Sequence, residues 1–162
     1  MHVAWFDEHG LNVRDVWNSA EQLETFVGTR LMPAVAEVGI TSAPEVTVQA
    51  CHAAQCELVV GGHLVLEQST IPAAVYDKIA ANAEWVHHPP IGAICHVAAD
   101  AADGMVDVTS VWRSAQASIN FAVNRLAPIA ADLGFDLGID GNPPPLAVVH
   151  AVYCPAPADV SA

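Results

Sequence analysis

One 25-residue segment occurs twice in this chain, and this repetition constrains the fold more than any other feature. The copies occupy residues 16–40 and 111–135 and read VWNSAEQLETFVGTRLMPAVAEVGI and VWRSAQASINFAVNRLAPIAADLGF. Aligned without a gap, they share ten identical residues, among them Trp17 and Trp112. Self-similarity at a fixed spacing is typical of an internal duplication. The chain therefore has to accommodate the same structural unit twice.

Each copy carries the signals of a helix. Ser19 and Ser114 are suited to the N-cap, and a glycine follows the last predicted turn in both copies. Between these signals, apolar residues of the first copy recur at the three-and-four spacing of a helix that packs on a sheet. Pro33 and Pro128 lack an N–H group and crowd a preceding carbonyl. We therefore predict that each helix is bent or broken at its proline.

Strands are predicted before and after both helices. Alternating runs precede the helices, LNVRDVW in the first copy and MVDVTSVW in the second, and each follows a run that opens with His-Val-Ala. The runs VTVQACHAAQC and LAVVHAVYC come after the helices and share the ending His-Ala-x-x-Cys. Between the copies, HLVLEQ predicts a further strand, and residues 70–83 predict a further helix.

This order of elements divides the chain into two unequal units. Residues 1–56 are interpreted as an N-terminal unit of order β-β-α-β. Residues 57–156 are interpreted as a C-terminal unit of order β-α-β-β-α-β, and residues 157–162 as a tail. The N-terminal unit therefore lacks the opening strand and helix of the C-terminal unit.

The composition argues against several classes of partner and predicts a location. Eighteen acidic residues against five scattered basic ones give a formal charge of −13, which offers no basic surface for nucleic acid or an anionic membrane. No apolar run approaches the roughly 20 residues that span a bilayer, and the first residues have no secretory signal pattern. We expect a cytoplasmic protein.

The four cysteines are expected to be reduced core residues rather than disulfides, because they form no CxxC pair and lie in apolar strand-like runs. A metal shared by His52 and Cys56 is disfavoured. Four residues of extended strand separate them by about 13 Å, whereas the ligands of one zinc ion lie about 2.0 to 2.3 Å from it. No metal site is predicted.

A family resemblance follows from these motifs. The segment VDVTSVWRSAQ…FxxxRLAP and its twin NVRDVWNSAEQ…FxxxRLMP, in this order of elements, resemble the ferredoxin-like dimeric α+β barrel superfamily, which includes antibiotic biosynthesis monooxygenase-like proteins. The resemblance implies an α+β fold of tandem ferredoxin-like repeats, with antiparallel sheets packed as a barrel and helices outside. The N-terminal repeat would lack its first strand and helix. An open sheet edge there makes a homodimer plausible.

The resemblance also implies a range of functions. Our leading expectation is a small-molecule enzyme resembling cofactor-independent monooxygenases or cyclases, acting on an aromatic or polyketide-like hydrophobic substrate without a cofactor. The alternative is a non-catalytic module that binds a hydrophobic ligand or serves a stress response. A third alternative is a haem-binding protein. Fold alone does not choose among these functions.

Histidines are the first candidate site residues. His2, His52, His96 and His150 fall at matching strand positions of the two units. A neutral imidazole can serve as a general base or as an axial haem ligand. We therefore assign catalytic roles to His52, His96 and His150 and a substrate-binding role to His2. A hydrogen-bonded structural histidine is the alternative for each of them.

Asp15 and three aromatic residues complete the predicted site. Strand alternation places Asp15 on the same face as Trp17, and a carboxylate with a raised pKa could abstract a proton from a phenol or an activated C–H group. The alternative is a solvated or paired acid. Trp17, Trp112 and Tyr76 are expected to line the substrate pocket, although packing of helix on sheet explains the two tryptophans equally well.

Overall fold

The computed structural model describes residues 1–42, 44–57, 63–138 and 145–154. Strands β1 to β7, in chain order, are His2–Asp7, Gly10–Asp15, Cys51–Cys56, Val65–Pro72, Ala93–Asp100, Met105–Trp112 and Leu146–Tyr153. Helices α1 to α5 are Ala20–Phe26, Met32–Glu37, Ala73–Ala83, Ala115–Phe121 and Ala127–Asp132. The fold is α+β. The tail predicted at 157–162 lies outside the described residues.

The described strands form one antiparallel sheet of order β2-β1-β7-β4-β6-β5-β3. Four adjacent strands, β7-β4-β6-β5, come from the C-terminal unit, residues 57–156. We call this unit the second half and the N-terminal unit, residues 1–56, the first half. The first half contributes the two ends of the sheet: the β1–β2 hairpin pairs with β7, and β3 pairs with β5. The first half therefore flanks the second rather than building a separate sheet.

The sheet is strongly curved. Cys56, at the end of β3, forms a disulfide with Cys154, which follows β7, and their Cα atoms are 5.7 Å apart. Four strand spacings separate β3 from β7 in the sheet order, which would be about 19 Å across a flat sheet. The sheet must therefore roll up to bring these two strands together. Its concave face buries an apolar cluster that includes Val3, Trp5 and Leu66.

The disulfide corrects our expectation for two of the four cysteines. Cys56 and Cys154 are bonded to each other, and Cys51 is exposed, whereas Cys95 is the free buried thiol that the sequence led us to expect. The shared His-Ala-x-x-Cys ending gave no hint of this bond, because the curvature of the sheet brings the two sulfurs together. Disulfides are rare in the cytosol, so the bond also argues against the cytoplasmic location expected from the sequence.

The two duplicated segments have the same internal structure, offset by 95 residues. Ser19 and Ser114 accept a backbone hydrogen bond at the start of α1 and α4. A π-helical turn, Val27–Leu31 or Ala122–Leu126, then joins α1 to α2 and α4 to α5. Each proline lies in the first turn of the second helix. The predicted break is therefore a widened turn before the proline, which spares the chain the clash inside a regular helix.

The two copies differ in burial. In the second copy, α4 and α5 bury Ser118 and Ala130 against the convex face of the sheet, next to α3. In the first copy, no residue of α1, the π-turn or α2 is buried. Among the described residues, fourteen large hydrophobic ones are exposed, and nine of these lie in the first 48 positions. The first copy therefore lacks the cover that α3 provides for the second.

One strand begins later than predicted. The run VTVQACHAAQC suggested a strand from residue 46, but β3 starts at Cys51, and residues 46–50 have no regular secondary structure. Only Ala50 among them bonds to a neighbouring strand, through its carbonyl to the Asp100 N–H, so alternation alone does not make residues 46–49 part of the sheet. Within the described part of the chain, no helix is long and apolar enough to cross a membrane.

Candidate functional site

A histidine, a serine and a tyrosine form a hydrogen-bonded chain on the convex face of the sheet. His96 on β5 lies opposite Ser110 on β6, with Nδ1 3.0 Å from the serine Oγ. Its Nε2 is 2.9 Å from the hydroxyl of Tyr76 on α3. Burial lowers the pKa of His96 to about 4, so the ring is neutral near pH 7. Burial also raises the pKa of Tyr76 to about 12, which keeps its hydroxyl protonated.

Aromatic side chains close this network. The indole of Trp85, in the turn after α3, lies 4.5 Å from the His96 ring between centroids. Trp85 also meets Trp112 and Phe121 edge to face, at 5.7 and 5.1 Å. Trp112 is 1% exposed. We call His96, Ser110, Tyr76, Trp85, Trp112 and Phe121 the closed site.

The first copy contains a second pair of the same kind. His2 on β1 lies opposite Asp15 on β2, and its Nδ1 is 2.8 Å from a carboxylate oxygen of Asp15. Their side chains are 41% and 26% exposed. The rings of Trp17 and Phe26 pack against each other at 5.0 Å. We call His2, Asp15, Trp17 and Phe26 the open site.

The two sites occupy equivalent positions. In each, a histidine on the first strand of a hairpin bonds through Nδ1 to the residue opposite it on the second strand. A tryptophan and a phenylalanine of the duplicated segment follow in both. Among the described residues, the open site has no counterpart of Tyr76 or Trp85, because no described helix lies before β1 as α3 lies before β5. Among the described residues, nothing hydrogen-bonds to His2 Nε2.

The partner of each histidine sets its chemistry. A carboxylate only accepts hydrogen bonds, so Asp15 accepts one from the Nδ1–H group of His2. When the ring is neutral, its Nε2 is then a free hydrogen-bond acceptor. Ser110 can also accept from Nδ1–H, but it carries no charge that would stabilise an imidazolium. The open site therefore has an oriented and accessible base, whereas both nitrogens of His96 are already used.

His52 forms a separate surface cluster. Its Nε2 and Nδ1 each lie 2.8 Å from a carboxylate, of Asp77 on α3 and Asp100 on β5 respectively. Hydrogen bonds to Asp77 and then Asp100 raise the pKa of His52. The ring also meets Tyr76 edge to face at 5.4 Å. His52 thus ties the edge strand β3 to α3 beside the closed site.

His150 joins neither site. It lies on β7 with its ring against Phe6, at 5.2 Å between centroids. Of the eight residues predicted from the sequence, the structure brings three together in the closed site and three in the open site. The closed site holds His96, Tyr76 and Trp112, and the open site holds His2, Asp15 and Trp17. His52 lies at the border of the closed site.

Ser110, Phe26 and Phe121 were not singled out from the sequence as site residues, and neither was Trp85. It follows α3 in the loop WVHHPP, where Glu84 has a positive φ of 45°. The left-handed residue ends the helix and turns the chain back over the sheet. A tryptophan directly after a predicted helix end was the available signal, but its contact with His96 depends on the turn.

A surface groove of about 310 Å³ lies beside α5 and is lined by residues of α5 and the turn after it, including Phe135 and Asp136. The groove beside α5 does not include residues of either site. Within the described ranges, no group of three or more His, Cys, Asp or Glu side chains could hold a metal ion.

Comparison with known proteins gives no match: no family model matches the chain, and no curated protein and no solved structure matches it.

Proposed function

We propose that this chain is a small-molecule enzyme that removes a proton from an aromatic or polyketide-like hydrophobic substrate at the open site. In this respect it resembles cofactor-independent monooxygenases and cyclases. The observation that carries the proposal is the His2–Asp15 pair, a histidine oriented by a carboxylate with its second nitrogen free and accessible. This arrangement is that of a general base.

The two residues have distinct roles in the proposed reaction. Asp15 fixes the ring orientation and tautomer of His2 through the Nδ1–H hydrogen bond. His2 Nε2 takes the proton of an acidic O–H or C–H group, and the Asp15 carboxylate stabilises the imidazolium that forms. Proton transfer from a neutral substrate to the neutral His2 ring creates a substrate anion and an imidazolium. The negative charge of Asp15 attracts the imidazolium and so favours the transfer.

The carbanion or phenolate then reacts in one of two ways. It cyclises internally, and the proton returns from His2 to the product. Alternatively it reacts with O₂: a CH₂ carbon loses two hydrogens and becomes a carbonyl that retains one oxygen atom, while the other oxygen atom leaves as water. The four electrons that reduce O₂ come from the substrate carbon, so the second route needs no external reductant.

The surroundings of the open site suit an apolar substrate. Phe6, Leu11 and Val13 lie on the same sheet face as His2, opposite the face that holds Val3, and are 56, 58 and 47% exposed. A formal charge of −13 disfavours anionic substrates. A neutral hydrophobic molecule is the class that both features favour.

The topology supports a finer proposal for the fold. The second half has the element order and sheet order of a ferredoxin-like β-α-β-β-α-β unit, with β4 between β7 and β6. The pairing of β1 with β7 and of β3 with β5, on the two sides of this unit, supports an arrangement in which the strands of the first half continue its sheet around a barrel. We interpret the chain as an α+β barrel of two such repeats. In this barrel no described strand fills the position between β2 and β3, the two ends of the sheet.

The function is tested by O₂ uptake and product formation on a panel of anthrones and quinols. For any substrate that wild type converts, we expect His2→Gln and Asp15→Asn to lower kcat/KM at least about 100-fold, because they remove the base or its orientation. His9→Gln is the matched control, since His9 is exposed in the turn of the same hairpin. Equal activity of His2→Gln and His9→Gln would contradict the assignment.

A further inference from the structure

We propose that the open site is also a docking site for a strand–helix segment of a polypeptide, whose helix presents a tyrosine to His2. The second half of the chain shows the complex in intramolecular form, because β4 and α3 fill the equivalent place there. The regulatory consequence rests on the proposed function, since the tyrosine would occupy the atom that accepts the substrate proton. The binding of the segment does not depend on the proposed function.

The free strand edges are the first observation. In the second half, β6 precedes the duplicated helix and pairs along its length with β4, from Val65↔Trp112 to Pro72↔Met105. In the first half, β2 precedes the same helix and pairs with β1 on one side, while its other side is a sheet end. The opposite sheet end is β3. A strand added beside β2 would take the position that β4 has beside β6.

The uncovered helix is the second observation. The duplicated helix of the second half packs against α3, and that of the first half buries none of its residues although it keeps most of the apolar positions. Phe26 and Met32 are 37 and 42% exposed. An amphipathic helix gains most of its stability from packing its apolar face. In the second copy, Phe121, the counterpart of Phe26, packs against Trp85 directly after α3. A partner segment in the place of α3 and the turn after it would cover Phe26 in the same way.

A duplicated arginine is the third observation. Arg125 donates hydrogen bonds to the backbone oxygens of Ala83 and His88, at and just beyond the C-terminal end of α3. Arg30 occupies the same position in the first copy, and in the described part of the chain it makes no hydrogen bond. Carbonyls at a helix C-terminus are unpaired acceptors that favour a cation. Arg30 is therefore placed to bind the end of a helix that the first half does not contain.

The vacant histidine nitrogen is the fourth observation. Tyr76 of α3 bonds to His96 Nε2, whereas His2 Nε2 has no hydrogen-bond partner among the described residues and the His2 side chain is 41% exposed. A tyrosine at the same point of a docked helix would complete the second hydrogen bond of His2. The partner is thus defined by its chemistry: an alternating apolar strand, then a helix that carries an inward tyrosine and ends near Arg30. When the partner is bound, its tyrosine would occupy Nε2 of His2, the proposed base. The complex would therefore be inactive.

The chain itself supplies the probe for the test. A fluorescently labelled synthetic peptide of residues 63–88 contains β4, α3 and both carbonyls that Arg125 contacts, and its anisotropy is measured with the full chain. We expect 1:1 binding that weakens at least about 10-fold in Arg30→Gln, and likewise for a peptide with Tyr76→Phe. Arg113→Gln, which removes an exposed charge in the second half, should bind like wild type.

Three outcomes would overturn the proposal. The first is that the peptide does not bind, and the second is that Arg30→Gln and Arg113→Gln bind it equally well. The third is a native mass of two chains that falls to one when peptide is added. The last would show that a second copy fills the position. Peptide binding without any converted substrate would leave docking supported and the proposed reaction unsupported. Turnover of a substrate without any peptide binding or inhibition would leave the proposed reaction supported and the docking unsupported.

Discussion

Replacing Trp112 with alanine should lower the free energy of unfolding by about 3–5 kcal/mol. Its side chain is 1% exposed and packs against Trp85 and Phe121 in the closed site. Removal leaves a large cavity that the Trp85 ring cannot fill without losing its contact with His96. Urea unfolding followed by far-ultraviolet circular dichroism measures the change.

Trp17→Ala is the matched control for this prediction, because Trp17 has the same position in the first copy and is only half-buried. It contacts Phe26 but has no counterpart of Trp85 above it. We expect a loss of roughly 1–2 kcal/mol, in proportion to the smaller area that it buries. Equal losses for the two variants would mean that the two copies are equally packed, and would refute the distinction between a closed and an open site.

The double variant Cys56→Ser, Cys154→Ser should lose about 2–5 kcal/mol of stability, since the disulfide closes a long loop with a sequence separation of 98 residues. The bond also ties β3, which pairs with β5 at the end of the sheet, to the strand β7 across the curve. We therefore expect amide hydrogen exchange in β3 to accelerate most.

Cys51→Ser is the control for the disulfide, because Cys51 lies on the same strand and is exposed and unbonded. It should leave stability unchanged. Non-reducing peptide mapping gives an independent check of the bond. Four free thiols in protein purified without reductant, together with unchanged unfolding after addition of reductant, would contradict the pairing and the curvature that brings the two strands together.

The local parts of the fold could be predicted from the sequence. Ser19 and Ser114 cap their helices, because a serine before an apolar periodic run acts within one turn. The pairing of His2 with Asp15 could not be predicted, because strand alternation fixes the face of Asp15 but not the register with β1. The disulfide was missed for a similar reason, since it depends on curvature accumulated over several strands.

The candidate site was predicted as one pocket, and the structure divides its residues between two places. Duplication explains the division, because each copy supplies its own histidine and tryptophan. His96 is mostly buried, but Tyr76 and Ser110 occupy both of its nitrogens. The orientation of the His2 ring comes from a contact across the hairpin, which no local pattern reveals.

The most direct test of the central claim is the rate at which individual histidines react with diethyl pyrocarbonate, followed by peptide mass spectrometry on the native protein. His2, which is 41% exposed with Nε2 free, should be modified readily, and His96 should stay unmodified until the protein unfolds. Protection of His2 together with modification of His96 would contradict the account of an open and a closed site.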